Sequence, residues 1–343
     1  MPRCAIVSFR LGLSDGVSVV AGSWAHALAG FGFDVVTVAG EGPVDRCLPG
    51  LAMQPASEPA QADVNAALAD ADLVVVENLC TIPLNLPAAR AVVKTLRGRP
   101  AVLHHHDPPW QRPHFAHVTE LPPTDPTWRH VTINDLTRRE FAARGIEATV
   151  IYNGFDPDPP RGDRDKTREI LDVDAGERLL VHPVRAIPRK NVPAALRLAE
   201  AVGATYWLVG PAEFGYDDEL DALLRGARCR VIHGTVPGTM SDTYAAADAV
   251  VFPSTWEGFG NPPIEAALHR RPAAVSRYPV AEELRSFGFE WFDPDDPETL
   301  DRFLRAPDDA LLERNRMIAT EHFSFDRMAS DLRTLLDGAG WLP

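Results

Sequence analysis

Short apolar runs alternate with longer amphipathic stretches along this chain, and the alternation begins twice. Residues 4–9 read as a buried strand, 17–29 as a helix and 34–39 as the next strand. The rhythm continues through strands at 73–77, 101–105, 130–133 and 149–152, with helices at 86–96 and 135–144. It stops at 156–163, Asp-Pro-Asp-Pro-Pro-Arg-Gly-Asp, which can continue neither a helix nor a central strand and reads as a linker. Strands resume at 179–182, 205–209, 230–233, 249–253 and 273–276. Helical patterns at 192–201, 217–224, 241–246 and 264–269 separate them, and 300–304 and 325–336 close the chain. Such alternation favours parallel sheets with helices on both faces. The expected fold is α/β, two Rossmann-like doubly wound domains facing a cleft. Their expected bounds are 1–158 and 159–320, with a C-terminal helix in 321–343. Ligands of such sheets sit beyond the carboxyl ends of the strands, so loops that directly follow strands are the place to look for chemistry.

Composition removes several function classes. The net charge is −14, from 34 Lys and Arg against 48 Asp and Glu, with more of the excess after residue 155. That argues against a nucleic-acid partner, which needs a basic surface. The four cysteines, Cys4, Cys47, Cys80 and Cys229, form no CxxC pair, so neither a zinc knuckle nor a disulfide scaffold is expected. Reduced thiols in a cytoplasm are the simpler reading. Arg10 ends the first apolar stretch too early for a signal peptide, and no apolar run is long enough to span a bilayer.

The most informative stretch is 253–267, Pro-Ser-Thr-Trp-Glu-Gly-Phe-Gly-Asn-Pro-Pro-Ile-Glu-Ala-Ala. A buried strand runs into a loop with two glycines, and the loop opens a helix with proline at its start. Free N–H groups of such a loop and helix end attract oxyanions and sugar hydroxyls. Glu257 on the loop and Glu265 on the helix can face one pocket. Carboxylates accept paired hydrogen bonds from vicinal hydroxyls, which suits a ligand with a ribose and a second sugar. A solvent-exposed Glu257 with Glu265 as a mere helix partner is the plainer alternative. A second strand-to-helix loop, 184–191, carries Arg185 and Lys190, which can converge on a diphosphate or form a solvated turn.

Arg185 with Lys190, Pro253-Ser254, and the E-x7-E pair Glu257 and Glu265 resemble the GT-B retaining glycosyltransferases of family 4. Tyr152-Asn153-Gly154-Phe155-Asp156 is similar to the family's NG-[VFI]-D, and His105-His106-Asp107 to its first-domain His-Asp. The resemblance is dense from 148 to 276 and looser before. It implies a hexosyl transfer with retention from a nucleotide diphosphate sugar, with no obligatory cofactor or metal, to a small-molecule, glycan or lipid-linked acceptor. By position, Arg185 and Lys190 would neutralise the diphosphate and Glu265 would bind the ribose. Glu257 and the backbone of Gly258, Phe259, Gly260 and Asn261 would hold the transferred sugar, which His106, or in its place His105, would also meet. A nucleotide-sugar epimerase on the same fold and a non-catalytic nucleotide-sugar binder remain open.

The first-domain pieces are less regular. In Leu13-Ser14-Asp15-Gly16-Val17-Ser18, Gly16 can admit a phosphate to the backbone, and Asp15 can contact an acceptor hydroxyl or simply cap a helix. His104-His105-His106 ends a strand, so alternate rings share a face and the three cannot act together. A metal site of His106, Asp107, His114 or His117 is conceivable, but none is expected. Trp110, Phe115 and Trp128 suit acceptor stacking or plain loop packing. Arg90, Lys94, Arg97 and Arg99 form a basic helix edge, read as a solvated face.

Overall fold

The computed structural model describes residues 1–343 except 14, 116, 214, 236 and 237, so Ser14 of the first glycine loop lies outside the described residues. The chain divides into two units. The first comprises Met1–Gly154 and Phe325–Pro343, the second Phe155–Ser324.

The first unit is built on seven strands, β1 (Arg3–Arg10), β2 (Asp34–Glu41), β3 (Arg46–Cys47), β4 (Leu73–Glu77), β5 (Ala101–His105), β6 (Trp128–Thr132) and β7 (Thr149–Val150). Their order is β3-β2-β1-β4-β5-β6-β7, and every pairing is parallel. Every residue of β4 and β5 is buried, as expected where helices cover both faces of a parallel sheet. Trp128, read as a candidate for acceptor stacking, is a core residue of β6 with its indole N–H donated to Leu96 O at 3.2 Å. Helix ends are set by side chains: Asp15 caps Gly16–Gly30, Asn85 caps Leu86–Leu96 and Asn134 caps Asp135–Ala142.

The second unit holds β8 (Leu179–His182), β9 (Thr205–Leu208), β10 (Val231–His233), β11 (Ala249–Phe252) and β12 (Ala273–Val275) in the order β10-β9-β8-β11-β12, again all parallel. Both sheets are doubly wound, so each has a point where the strand order reverses and the connections from two parallel neighbours run to opposite sides: β1 beside β4, and β8 beside β11. The proline-rich segment 156–163 is not a free tether. It is fastened to the second unit, where the Asp163 N–H donates to Asp242 at 2.8 Å and the Asp163 side chain caps the helix Arg164–Ile170. Four helices went unread in the sequence, Gln61–Leu68, Arg164–Ile170, Pro279–Arg285 and Asp309–Phe323. The last buries only Asn315, Ala319 and Phe323, too sparse a stripe for periodicity to reveal. No helix among the described residues is long and apolar enough to cross a membrane.

The C-terminal helix Phe325–Gly338 packs back on the first unit. Its Met328, Leu332 and Leu336 join Trp24, Leu28, Val75 and Ile151 in one core layer. Gly154 permits this approach, because a Cβ there would lie 2.8 Å from Met328 Cβ and 3.0 Å from Phe325 Cα. Leu332 is wholly buried. Leu332→Ala should therefore cost about 2–5 kcal/mol in urea unfolding. A loss below about 1 kcal/mol would mean the helix is not part of this core.

Candidate active site

The loops after β8 and β11 leave neighbouring strands at the point where the second sheet reverses direction. After β8 the chain makes a short turn, Pro188–Lys190, and Asn191 takes a left-handed conformation (φ 54°) before the helix Val192–Ala201. This brings Arg189 and Lys190 to the same carboxylate on the other loop. Lys190 Nζ donates to Glu257 Oε1 at 2.6 Å, and Arg189 donates to Glu257 Oε2 and to Trp256 O, the latter at 3.0 Å. The Thr255 N–H donates to Arg189 O at 2.9 Å and closes the link.

Glu257 is only 6% exposed. Burial alone would raise its carboxyl pKa, but Lys190 and Arg189 outweigh that and hold it at about 2. Burial in turn lowers Lys190 to about 8, a shift that Glu257 only partly offsets. His182, at the end of β8, is held neutral by burial, its pKa lowered to about 3, with Nδ1 on the Tyr206 hydroxyl at 2.8 Å.

Past Glu257 the chain passes Gly258 and reaches Phe259, whose side chain is core, facing Phe155 and Phe323 at 6.2 and 5.8 Å between ring centroids. Gly260 follows at φ 109°. A Cβ there would meet the Tyr278 hydroxyl at 2.8 Å, so glycine is required on both counts. Asn261 then opens the helix Asn261–Leu268, with proline in its first turn. Glu265 on that helix accepts a hydrogen bond from the Tyr244 hydroxyl, and burial raises its carboxyl pKa. Tyr244 stacks on His269 with ring centroids 4.9 Å apart.

The expected pairings are thus partly redrawn. Glu257 is held by Lys190 and Arg189, and Glu265 by Tyr244. Arg185 pairs with Glu213 at 2.5 Å, although it lies near enough to Lys190 to oppose that residue's charge. Arg189, not singled out in the sequence, takes the place beside Lys190 on Glu257. Its only sequence signal is adjacency to Lys190 in a Pro-Arg-Lys-Asn turn.

In the first unit, Asp15 is engaged as a helix cap. It accepts from the Ser18 N–H at 3.3 Å and the Ser18 hydroxyl at 2.9 Å, and pairs with Arg10 at 3.1 Å. Gly16 starts that helix, with open space where a Cβ would stand. The histidines divide by strand alternation. His104 Nδ1 and His106 Nε2 lie 3.0 and 2.9 Å from Glu77, while His105 turns to the other face, to Thr81 at 2.5 Å and His130 at 2.9 Å. Burial would raise the Glu77 pKa, but the two imidazoles hold it at about 2. Burial lowers the pKa of His104, takes His105 well below its usual value and lowers His130 to about 4.

Glu77, His104 and His106 are also a ligand-type trio, with donor atoms within 4.8 Å of one another. Their separations of 2.9 and 3.0 Å are those of hydrogen bonds. A tetrahedral metal shell spreads such atoms to roughly 3.3 Å. Trp110 donates to Glu140 at 2.8 Å under the Arg144 guanidinium, 3.9 Å from its ring. On the basic helix edge, Arg90 pairs with Glu120 and Arg97 with Asp125, while Arg99 donates to Leu68 O and Ala71 O.

Residues 185–305 match the family model "Glycosyl transferases group 1". The chain is 26% identical to mannosylglucosylglycerate synthase of Thermotoga maritima, with 81% of each chain covered. Over 273 residues it is 26% identical to the Petrotoga mobilis protein of the same name. That second match takes in 64% of this chain and 63% of the relative, less than two thirds of the relative's length. Among solved structures, Anabaena Alr3699/HepE in complex with UDP-glucose superposes with a TM-score of 0.76 at 21% identity, over 98% of this chain and 99% of that one. Sucrose-phosphate synthase from Thermosynechococcus elongatus gives a TM-score of 0.74 at 15% identity, over 98% of this chain and 99% of that one. The fold is GT-B. Its stretch 185–305 is similar to the group 1 glycosyltransferases.

Glu257 carries a stability signature. Its folded pKa, about 2, lies below the ordinary 4.5. The folded state therefore keeps it ionised where the unfolded chain takes up a proton. The stability so gained is complete above about pH 4.5 and is lost as pH falls through about 2, on the order of 3 kcal/mol in all. Glu257→Gln should flatten the fall in urea-derived stability between about pH 6 and about pH 3. Parallel pH curves for variant and wild type would rule out a caged, ionised Glu257.

Proposed function

We propose that this protein is a cytoplasmic retaining glycosyltransferase of family 4 that moves a hexosyl unit from a nucleotide diphosphate sugar to an acceptor hydroxyl. The observation that carries this reading is the buried Glu257 held by Lys190 and Arg189 where the second sheet reverses direction. An incoming diphosphate offers the two cations a stronger anion than the carboxylate they hold. Lys190, lowered to about 8 by burial, is still mainly protonated at neutral pH, and an anion beside it favours its charge further. Arg185, half-exposed on the same loop, adds a fork for phosphate oxygens.

In this reading Lys190 and Arg185, with Arg189, stabilise charge as the bond from sugar to diphosphate breaks, the role a divalent ion plays elsewhere. Glu265 binds the ribose hydroxyls. Glu257 and the N–H groups of Gly258, Phe259, Gly260 and Asn261 orient the sugar at a helix start, and His106 meets the same sugar. Gly16 is assigned to the donor as the resemblance implies. The acceptor oxygen bonds to the anomeric carbon on the face the diphosphate leaves, and the departing phosphate oxygen takes the acceptor's proton. The complex of HepE with UDP-glucose makes a uridine diphosphate sugar the first donor to try. The synthase relatives make a mannose donor the second, with a small saccharide acceptor.

Lys190→Ala and Glu257→Ala should each lower kcat by at least about a hundredfold, followed by nucleoside diphosphate release. The product anomer, read by NMR, should match the donor's. Wild-type turnover in either variant would remove these assignments. Epimer formed from donor alone would favour an epimerase, and tight donor binding without any turnover would favour a non-catalytic binder.

A further inference from the structure

The end of β4 grips the turn that follows β5. Glu77 and His104 are register partners across the two strands. The Glu77 carboxylate, wholly buried, lies against His104 Nδ1 on one oxygen and His106 Nε2 on the other. The next residue, Asn78, adopts a left-handed conformation (φ 58°), and its side-chain oxygen accepts from the N–H groups of both His106 and Asp107 at 3.1 Å. Its amide nitrogen donates to Asp107 at 3.3 Å, and Asp107 is in turn paired with Arg112. Side chain and backbone of the His106 turn are therefore both held by two consecutive residues of one strand end.

An ionised carboxylate only accepts hydrogen bonds, so each nitrogen facing it must carry a hydrogen. The two rings then differ in what remains. His104 stacks on Trp24 with centroids 4.1 Å apart, and its Nε2 is buried without a partner. An unpaired acceptor is tolerable there, whereas an unpaired N–H is not. The His106 side chain remains 6% exposed.

We propose that Glu77 is a positioning residue that fixes the tautomer of His106, placing the hydrogen on Nε2 and leaving Nδ1 to accept a hydrogen bond from a sugar hydroxyl. The catalytic part of this rests on the reading that His106 meets the transferred sugar, whereas the tautomer does not. The geometry also dictates the effect of Glu77→Gln. The new amide has one oxygen and one NH2, so one histidine must become an acceptor. If that were His104, its hydrogen would move to the enclosed Nε2 and find no partner. His106 therefore yields, and its hydrogen moves to Nδ1.

Long-range proton–nitrogen NMR of the full-length protein, with the His106 signal assigned by its loss in His106→Ala, reads this directly. Wild type should show the Nε2–H tautomer, Glu77→Gln the Nδ1–H tautomer, and Glu77→Asp the wild-type form. In turnover assays Glu77→Gln should lower kcat about ten- to a hundredfold, by more than it raises donor KM. It should cause no further loss in a His106→Ala background. An Nδ1–H tautomer in the wild type, which needs no variant to fold, would overturn the proposal. So would an unmoved tautomer in Glu77→Gln, multiplying losses in the double variant, or a stoichiometric metal found by elemental analysis with His106 Nε2 as its ligand. If the tautomer switches as described while the wild type transfers no sugar, the positioning claim stands and the glycosyltransferase reading fails.

Discussion

A carboxylate buried between two cations is the interaction on which the second unit's loop geometry turns. Removing Glu257 from water is unfavourable in itself, and only charge-assisted hydrogen bonds from Lys190 and Arg189 make it tolerable. Those bonds require the loops after β8 and β11 to come together, which happens because the two strands are adjacent and parallel, so both loops leave the same edge of the sheet. The left-handed Asn191 and Gly260 then turn each chain into its helix. Strand order, loop conformation and site charge are thus one constraint seen at three scales. The first unit repeats the pattern with a different pairing, in which a buried carboxylate at the end of β4 is offset by imidazoles instead of by fixed cations.

Much of this was legible in the sequence, for identifiable reasons. Strands buried on both faces give uninterrupted apolar runs, so 73–77, 101–105 and 179–182 could be read to the residue. Helices with wide apolar stripes and clear caps, such as Leu86–Leu96, were equally plain. Asp309–Phe323 was not, because it buries little. At the site, the glycines and carboxylates of 257–265 stood out by spacing. Arg189 did not, because neighbours in sequence ordinarily diverge, and only a tight turn followed by a left-handed residue brings both cations to one carboxylate. Glu77 was hidden for another reason: its partners lie across a strand register that no local pattern encodes. The expectation that alternate histidines separate did hold, since it follows from the pleat alone.

The chain enters the second unit at Phe155 and leaves it at Ser324, and these two points are neighbours: the Phe155 N–H donates to Phe323 O at 2.9 Å. The second unit is therefore an insertion, and the last nineteen residues, 325–343, return to finish the first. During synthesis the apolar surface around Trp24 and Leu28 has no cover until the final helix leaves the ribosome. The unit begun first is thus completed only after the other has been made, and removing 325–343 exposes a region some three hundred residues upstream.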